Sequence, residues 1–87
     1  MTLYNCRTAP DNSWRVTKFD EDLEVESSYV LKVVQGRFRC QCFQANKPSC
    51  RHRDMLERFI TQKKVDTTMF YHYEAGMWVD PITKRIE

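Results

Sequence analysis

Apolar and polar positions alternate with a period of two along most of this chain of 87 residues, and the period changes to a helical one only once. Thr2 to Arg7 predicts a short strand, and Ala9-Pro10-Asp11-Asn12 is turn chemistry. Trp14 to Phe19 predicts a second strand, with Trp14, Val16 and Lys18 alternating against Arg15, Thr17 and Phe19. Asp20-Glu21-Asp22 reads as a solvated loop. In a third strand, Glu24 to Val34, Tyr29, Leu31 and Val33 share one face while Val30, Lys32 and Val34 share the other. Gln35-Gly36 then makes a two-residue turn, with glycine supplying the positive φ. Arg37 to Phe43 returns as a strand with Phe38, Cys40 and Cys42 on one face and Arg37, Arg39 and Gln41 on the other.

The helical stretch is Arg51 to Lys63. At 100° per residue, Met55, Phe59, His52, Leu56 and Ile60 fall in an apolar arc of about 140°. The opposite side carries Arg53, Asp54, Glu57, Arg58, Thr61 and Lys64. Beyond it, Met69, Tyr71 and Tyr73 alternate against Phe70 and His72 within Thr67 to Glu74, Ala75-Gly76 turns, and Met77-Trp78-Val79 returns before Asp80-Pro81. No repeat, low-complexity tract or linker divides the chain, so residues 1–87 are expected to form one domain.

That length lies at the small end of what a hydrophobic core stabilises, and such scaffolds often add a metal or disulfides. The sulfur is placed accordingly. Cys40 and Cys42 project from the same face of a strand, whereas i and i+2 on a helix point about 200° apart. Cys50 must therefore lie just before the helix and His52 in its first turn if both share an ion. Cys40, Cys42, Cys50 and His52 fall within thirteen positions and supply the donors of a closed tetrahedral Zn²⁺ site. Four protein ligands leave no open position, so the zinc is expected to be structural and the chain no enzyme. Copper(I) carriage by the Cys40-x-Cys42 sulfurs, a Cys50–His52 nucleophilic pair and disulfides are the competing readings of the same residues. Cys6 could be a small buried residue, an exposed thiol or a further ligand, and His72 reads as structural.

The order CxC, seven-residue spacer, CxH resembles the SWIM-type zinc finger, a strand–strand–helix module. The resemblance runs from about Trp14 to Ile60. It rests on Trp14-Arg15-Val16, Ser28-Tyr29-Val30-Leu31, the Gly36 turn, Cys40-x-Cys42 with Phe43 behind it, and Pro48-Ser49-Cys50-x-His52. It implies an α+β fold: antiparallel strands plus one main helix in a zinc-stabilised ββα core of about residues 14–64. N-terminal strands precede that core, and a β-hairpin extension of about residues 65–82 lies outside the resemblance. SWIM modules are DNA- and protein-binding attachments of larger proteins, whereas this chain is almost nothing but the module.

Charge sharpens the functional expectation. Residues 1–31 carry three Lys/Arg against six Asp/Glu, residues 32–64 nine against two, and residues 65–87 two against four. The net charge of +2 thus hides a middle third at +7. Three thiolates and one Zn²⁺ offset only one unit of it, and the remainder can attract a polyanion. Nucleic-acid binding is expected through Arg37, Arg39, Lys47, Arg51, Arg53, Arg58, Lys63 and Lys64, with Tyr71, Tyr73 or Trp78 as stacking candidates. The alternative is a protein-interaction adaptor or inhibitor that docks onto a larger nucleic-acid-processing protein. No small-molecule substrate is evident. Met1 to Cys6 holds no apolar run, and Tyr29–Leu31 and Met69–Tyr71 are too short to cross a bilayer. No membrane association and an intracellular location, cytoplasm or nucleus/nucleoid, are therefore expected.

Overall fold

Residues able to take positive φ set the chain reversals. The computed structural model describes residues 1–40, 51–81 and 85–86. Strand β1 (Leu3–Ala9) turns through Pro10, Asp11 (φ 62°) and Asn12 (φ 57°) into β2 (Ser13–Phe19), and the Ser13 hydroxyl donates to the Pro10 carbonyl at 2.6 Å. The next reversal is held by Asp20, whose Oδ1 accepts from the backbone N–H groups of Asp22 and Glu24 at 2.9 and 3.0 Å. The acidic run is thus a side-chain-capped loop. Strand β3 (Val25–Val34) reverses at Gln35 (φ 53°) and Gly36 (φ 76°), the paired positive φ of a type I′ hairpin, into β4 (Arg37–Cys40).

Helix α1 (Arg51–Thr61) begins eleven residues after Cys40. It stops in a Schellman motif: Lys63 takes φ 57°, its N–H bonds the Ile60 carbonyl at 3.1 Å, and the Lys64 N–H bonds the Phe59 carbonyl at 2.8 Å. Strands β5 (Phe70–His72), β6 (Met77–Asp80) and β7 (Arg85–Ile86) follow.

Among the described residues seven strands join one antiparallel sheet in the order β4-β3-β2-β1-β5-β6-β7. The chain therefore walks outward from β1 to β4, and α1 carries it back across the sheet to the other side of β1. The α+β expectation, with antiparallel strands and a helix, is met. The C-terminal hairpin continues the same sheet. Leu3 pairs with His72 and Tyr4 with Tyr71, so β5 extends the same sheet that carries β3 and β4.

One sheet face is covered by α1. Tyr4, Cys6, Val16, Leu31, Cys40 and Tyr71 project toward it and pack with Met55, Leu56 and Phe59 of the helix. The predicted arc is narrower than expected, since Ile60 at its margin is 37% exposed. Strand β5 is also shorter than Thr67 to Glu74, because Thr67 and Thr68 are used in turns. The Thr67 hydroxyl donates to the Lys64 carbonyl at 2.7 Å, and the Thr68 hydroxyl donates to Asp80 Oδ2 at 2.6 Å. On the other sheet face, Leu3 and Asn5 are buried near β5, where Phe19 and Phe70 meet edge to face at 5.2 Å. Among the described residues no helix is long and apolar enough to cross a membrane.

Candidate metal site and basic surfaces

Cys40 ends β4 on the helix side of the sheet, directly across from Leu31, and is only 3% exposed. Strand alternation puts it there: Phe38, two residues earlier, packs against the same core and meets Trp14 edge to face at 5.7 Å. His52 lies in the first turn of α1, as its place in the apolar arc requires. Its ring is half-buried over the Tyr29 ring, with centroids 4.3 Å apart. Tyr29 is two residues from Leu31 on the same face of β3, so Cys40 and His52 border one patch of the helix–sheet interface. Burial, then the charges of Arg51 and Lys18, lower the pKa of His52, which favours the neutral, ligating form of the imidazole.

Cys42 and Cys50, the other two candidate ligands, and the basic residue Lys47 lie outside the described residues. Among the described residues no group of three or more His, Cys, Asp or Glu is placed to hold a metal. The two described donors suit the expected ion in chemistry, one soft and one borderline, on elements that pack together.

Cys6 is a core residue. It is fully buried on β1, and burial, reinforced by the nearby Asp66 carboxylate, pushes its thiol up to about 12. Three strand spacings, about 14 Å, separate β1 from β4, which removes Cys6 as a ligand beside Cys40 or as its disulfide partner. His72 is structural as expected: its Nδ1 accepts the Ala75 backbone N–H at 3.0 Å and so holds the β5–β6 turn.

The sequence-predicted basic residues do not form one surface. Arg51 stacks on the Tyr73 ring at 4.3 Å, and the Tyr4 side chain beside it raises its pKa. Arg58 stacks on the Tyr71 ring at 4.6 Å. Both guanidiniums are thus engaged in fastening the helix to β1 and the β5 segment. Arg37 and Arg53 line a pocket of about 310 Å³ with Gly36, Phe38, Asp54 and Glu57, where two carboxylates balance the two cations. Lys63 and Lys64 form the helix stop. Of the stacking candidates, Tyr71 is 6% exposed and Trp78 packs edge to face on both Phe59 and Tyr71, at 4.8 and 5.1 Å. Those two are core, and only Tyr73 keeps a substantial exposed surface.

Sequence reasoning missed a second group of cations. Arg7, Arg15 and Lys32 stand exposed on the sheet face turned away from α1, together with Arg39. The alternation that turns Cys40 inward necessarily turns Arg39 outward, and extending that parity through the strand register finds the others. Comparison of the chain with family models, curated proteins and solved structures found no match in any of the three.

Proposed function

We propose that this chain is a small nucleic-acid-binding module whose hairpin–helix unit is held by one structural Zn²⁺, with Cys40, Cys42, Cys50 and His52 as ligands. One observation carries the metal reading. Buried Cys40 at the end of β4 and half-buried His52 in the first turn of α1 border the same interface. The ten residues between β4 and α1 contain the other two donors. The resemblance to SWIM-type fingers supports the same assignment. Zinc would fasten the outer hairpin to the helix beside Tyr29 and Leu31 of β3, the residues against which His52 and Cys40 are set.

Structural zinc sites contribute about 10–16 kcal/mol of apparent binding energy near neutral pH. That is comparable to the whole stability of a small domain, about 5–15 kcal/mol. The purified chain is therefore expected to hold one zinc by elemental analysis. Removing it with a chelator, or substituting Cys42→Ser, should unfold β3, β4 and α1. An unchanged circular dichroism spectrum after verified zinc removal refutes the structural role.

The nucleic-acid reading rests on the charge of the middle third and is tested by binding to labelled DNA and RNA across a salt series. Phosphate contacts predict affinity that falls linearly on log–log axes. No binding even at low salt refutes this reading and turns attention to a protein partner.

A further inference from the structure

The strands β1 to β4 contain six cations, Arg7, Arg15, Lys18, Lys32, Arg37 and Arg39, and one carboxylate, Glu26. Glu26 is matched to Lys18 at 3.2 Å. By strand parity Lys18 shares the helix side with Trp14 and Val16, and Arg37 lines the pocket with Asp54 and Glu57 of α1, so the opposite face keeps four cations, Arg7, Arg15, Lys32 and Arg39, with no strand carboxylate left to match them. All four are exposed. Asp66, whose carboxylate senses the charge of Arg7, is committed at the margin of β1. Its two carboxylate oxygens accept from the Thr8 backbone N–H at 2.9 Å and the Thr8 hydroxyl at 2.7 Å.

The register makes this arrangement costly. Arg7 lies directly opposite Arg15, and Lys32 directly opposite Arg39. Like charges in directly opposed cross-strand positions destabilise a sheet. Two such pairs on one face are unfavourable for the chain alone and favourable only when an anion lies across them. Arg15 is also held in place. One of its terminal nitrogens donates to the Ser28 hydroxyl at 3.3 Å, and Ser28 in turn bonds the Thr17 hydroxyl at 3.2 Å. A guanidinium has five N–H donors, so most of its fork remains for a ligand.

We infer that this open face of β1 to β4 is where a nucleic acid binds, through the phosphates of one strand and without reading its bases. The inference rests on the nucleic-acid reading above and relocates its surface from the helix to the back of the sheet. Three of the four cations are arginines, which hold phosphate oxygens bidentately. The track from Arg7 to Arg39 crosses three strand spacings and advances two residues, about 14 Å by about 7 Å. An extended strand can follow it with successive phosphates. No described aromatic side chain stands exposed on this part of the sheet to stack a base, which is why the binding is sequence-tolerant. The exposed large apolar residues of these strands are valines, Val25, Val33 and Val34, with no leucine or aromatic anchor for a lipid interface.

The test measures fluorescence anisotropy of mixed-sequence single-stranded DNA and RNA with the full chain across a salt series. The variants compared are Arg15→Glu with Lys32→Glu on the sheet and Arg58→Glu with Lys63→Glu on the helix. The sheet variant is expected to weaken binding by at least about tenfold and to lower the log–log salt slope by about 2, one unit per phosphate contact removed. The same variant is expected to melt at the wild-type temperature or higher, because each substitution sets a carboxylate opposite a cation. The milder pair Arg15→Gln with Lys32→Gln should lower the slope equally and guards against misfolding. Loss of binding in the helix variant with retention in both sheet variants overturns the location while leaving the nucleic-acid reading intact. Wild-type protein that ignores nucleic acid at low salt, whether or not it is captured by anionic phosphatidylserine vesicles, overturns the reading itself.

Discussion

Phe59 fastens three parts of the molecule, and replacing it with alanine should disable the fold. Its side chain is fully buried in α1, packed into the core cluster with Tyr4 and Leu56, and its ring meets the Trp78 ring of β6 edge to face at 4.8 Å. Truncating a buried phenylalanine costs about 3–5 kcal/mol, through lost transfer energy and the cavity left behind. An aromatic pair of this geometry contributes about 0.5–1.5 kcal/mol beyond its buried area. At roughly 0.05–0.15 kcal/mol per residue, a chain of this length has only about 4–13 kcal/mol of stability in total. Phe59→Ala therefore removes a large fraction of it, and the melting temperature should fall by at least about 12 °C, taking about 4 °C per kcal/mol for a domain of this size. Urea titration followed by tryptophan fluorescence measures the loss directly, since Trp78 reports on the affected contact. A double-mutant cycle with Trp78→Leu should return a coupling of about 0.5–1.5 kcal/mol. A loss below about 1.5 kcal/mol for Phe59→Ala, or zero coupling, would show that the helix does not clamp β6 as described.

Two further outcomes follow from the buried and charged groups. Hydrogen bonds from Thr8 hold the Asp66 carboxyl below its ordinary pKa of 3.8, so its folded value is the depressed one. Its contribution is complete above that ordinary value and is lost as pH falls through the folded pKa; Asp66→Asn should flatten the acid limb of stability below pH 4 in pH-dependent melting, and an unaltered limb refutes the assignment. The Cys6 thiol, buried and raised to about 12, should react with a thiol reagent only as fast as the chain opens, so immediate labelling in native buffer would contradict its placement.

Local chemistry made much of this fold legible. Gln35-Gly36, Pro10-Asp11-Asn12 and the period-two runs around them marked the hairpins, because turn conformation and facing are decided by neighbouring residues. The helix and the inward aim of His52 followed from one apolar arc. Ile60 was misplaced by that same argument, since the arc's width does not say how far the sheet extends beneath it. The pairing of β1 with β5 was not legible, because Leu3 and His72 choose each other across nearly the whole chain. The candidate site divided in the same way. Spacing supplied the ligand set, but the sequence ranked cations by local density and therefore favoured the helix. It could not show that Arg51 and Arg58 lie on tyrosine rings or that Arg7 stands opposite Arg15, since both depend on tertiary register.

The position of β1 in the middle of the sheet also sets the timing of assembly. Its partner on one side is the next strand in sequence, while on the other side it waits for residues 71 and 72. The Thr2 N–H waits for Glu74 at a separation of 72 residues. Contacts this distant in sequence slow folding, because loop closure must precede the pairing that rewards it. During synthesis the inner edge of β1, with Leu3 and Tyr4, stays an open strand edge until nearly the whole described chain has emerged. An open edge is a template for another copy of the same strand. The chain is therefore most exposed to self-association before β5 arrives, and any change that delays the C-terminal hairpin lengthens that interval even if the finished fold is equally stable.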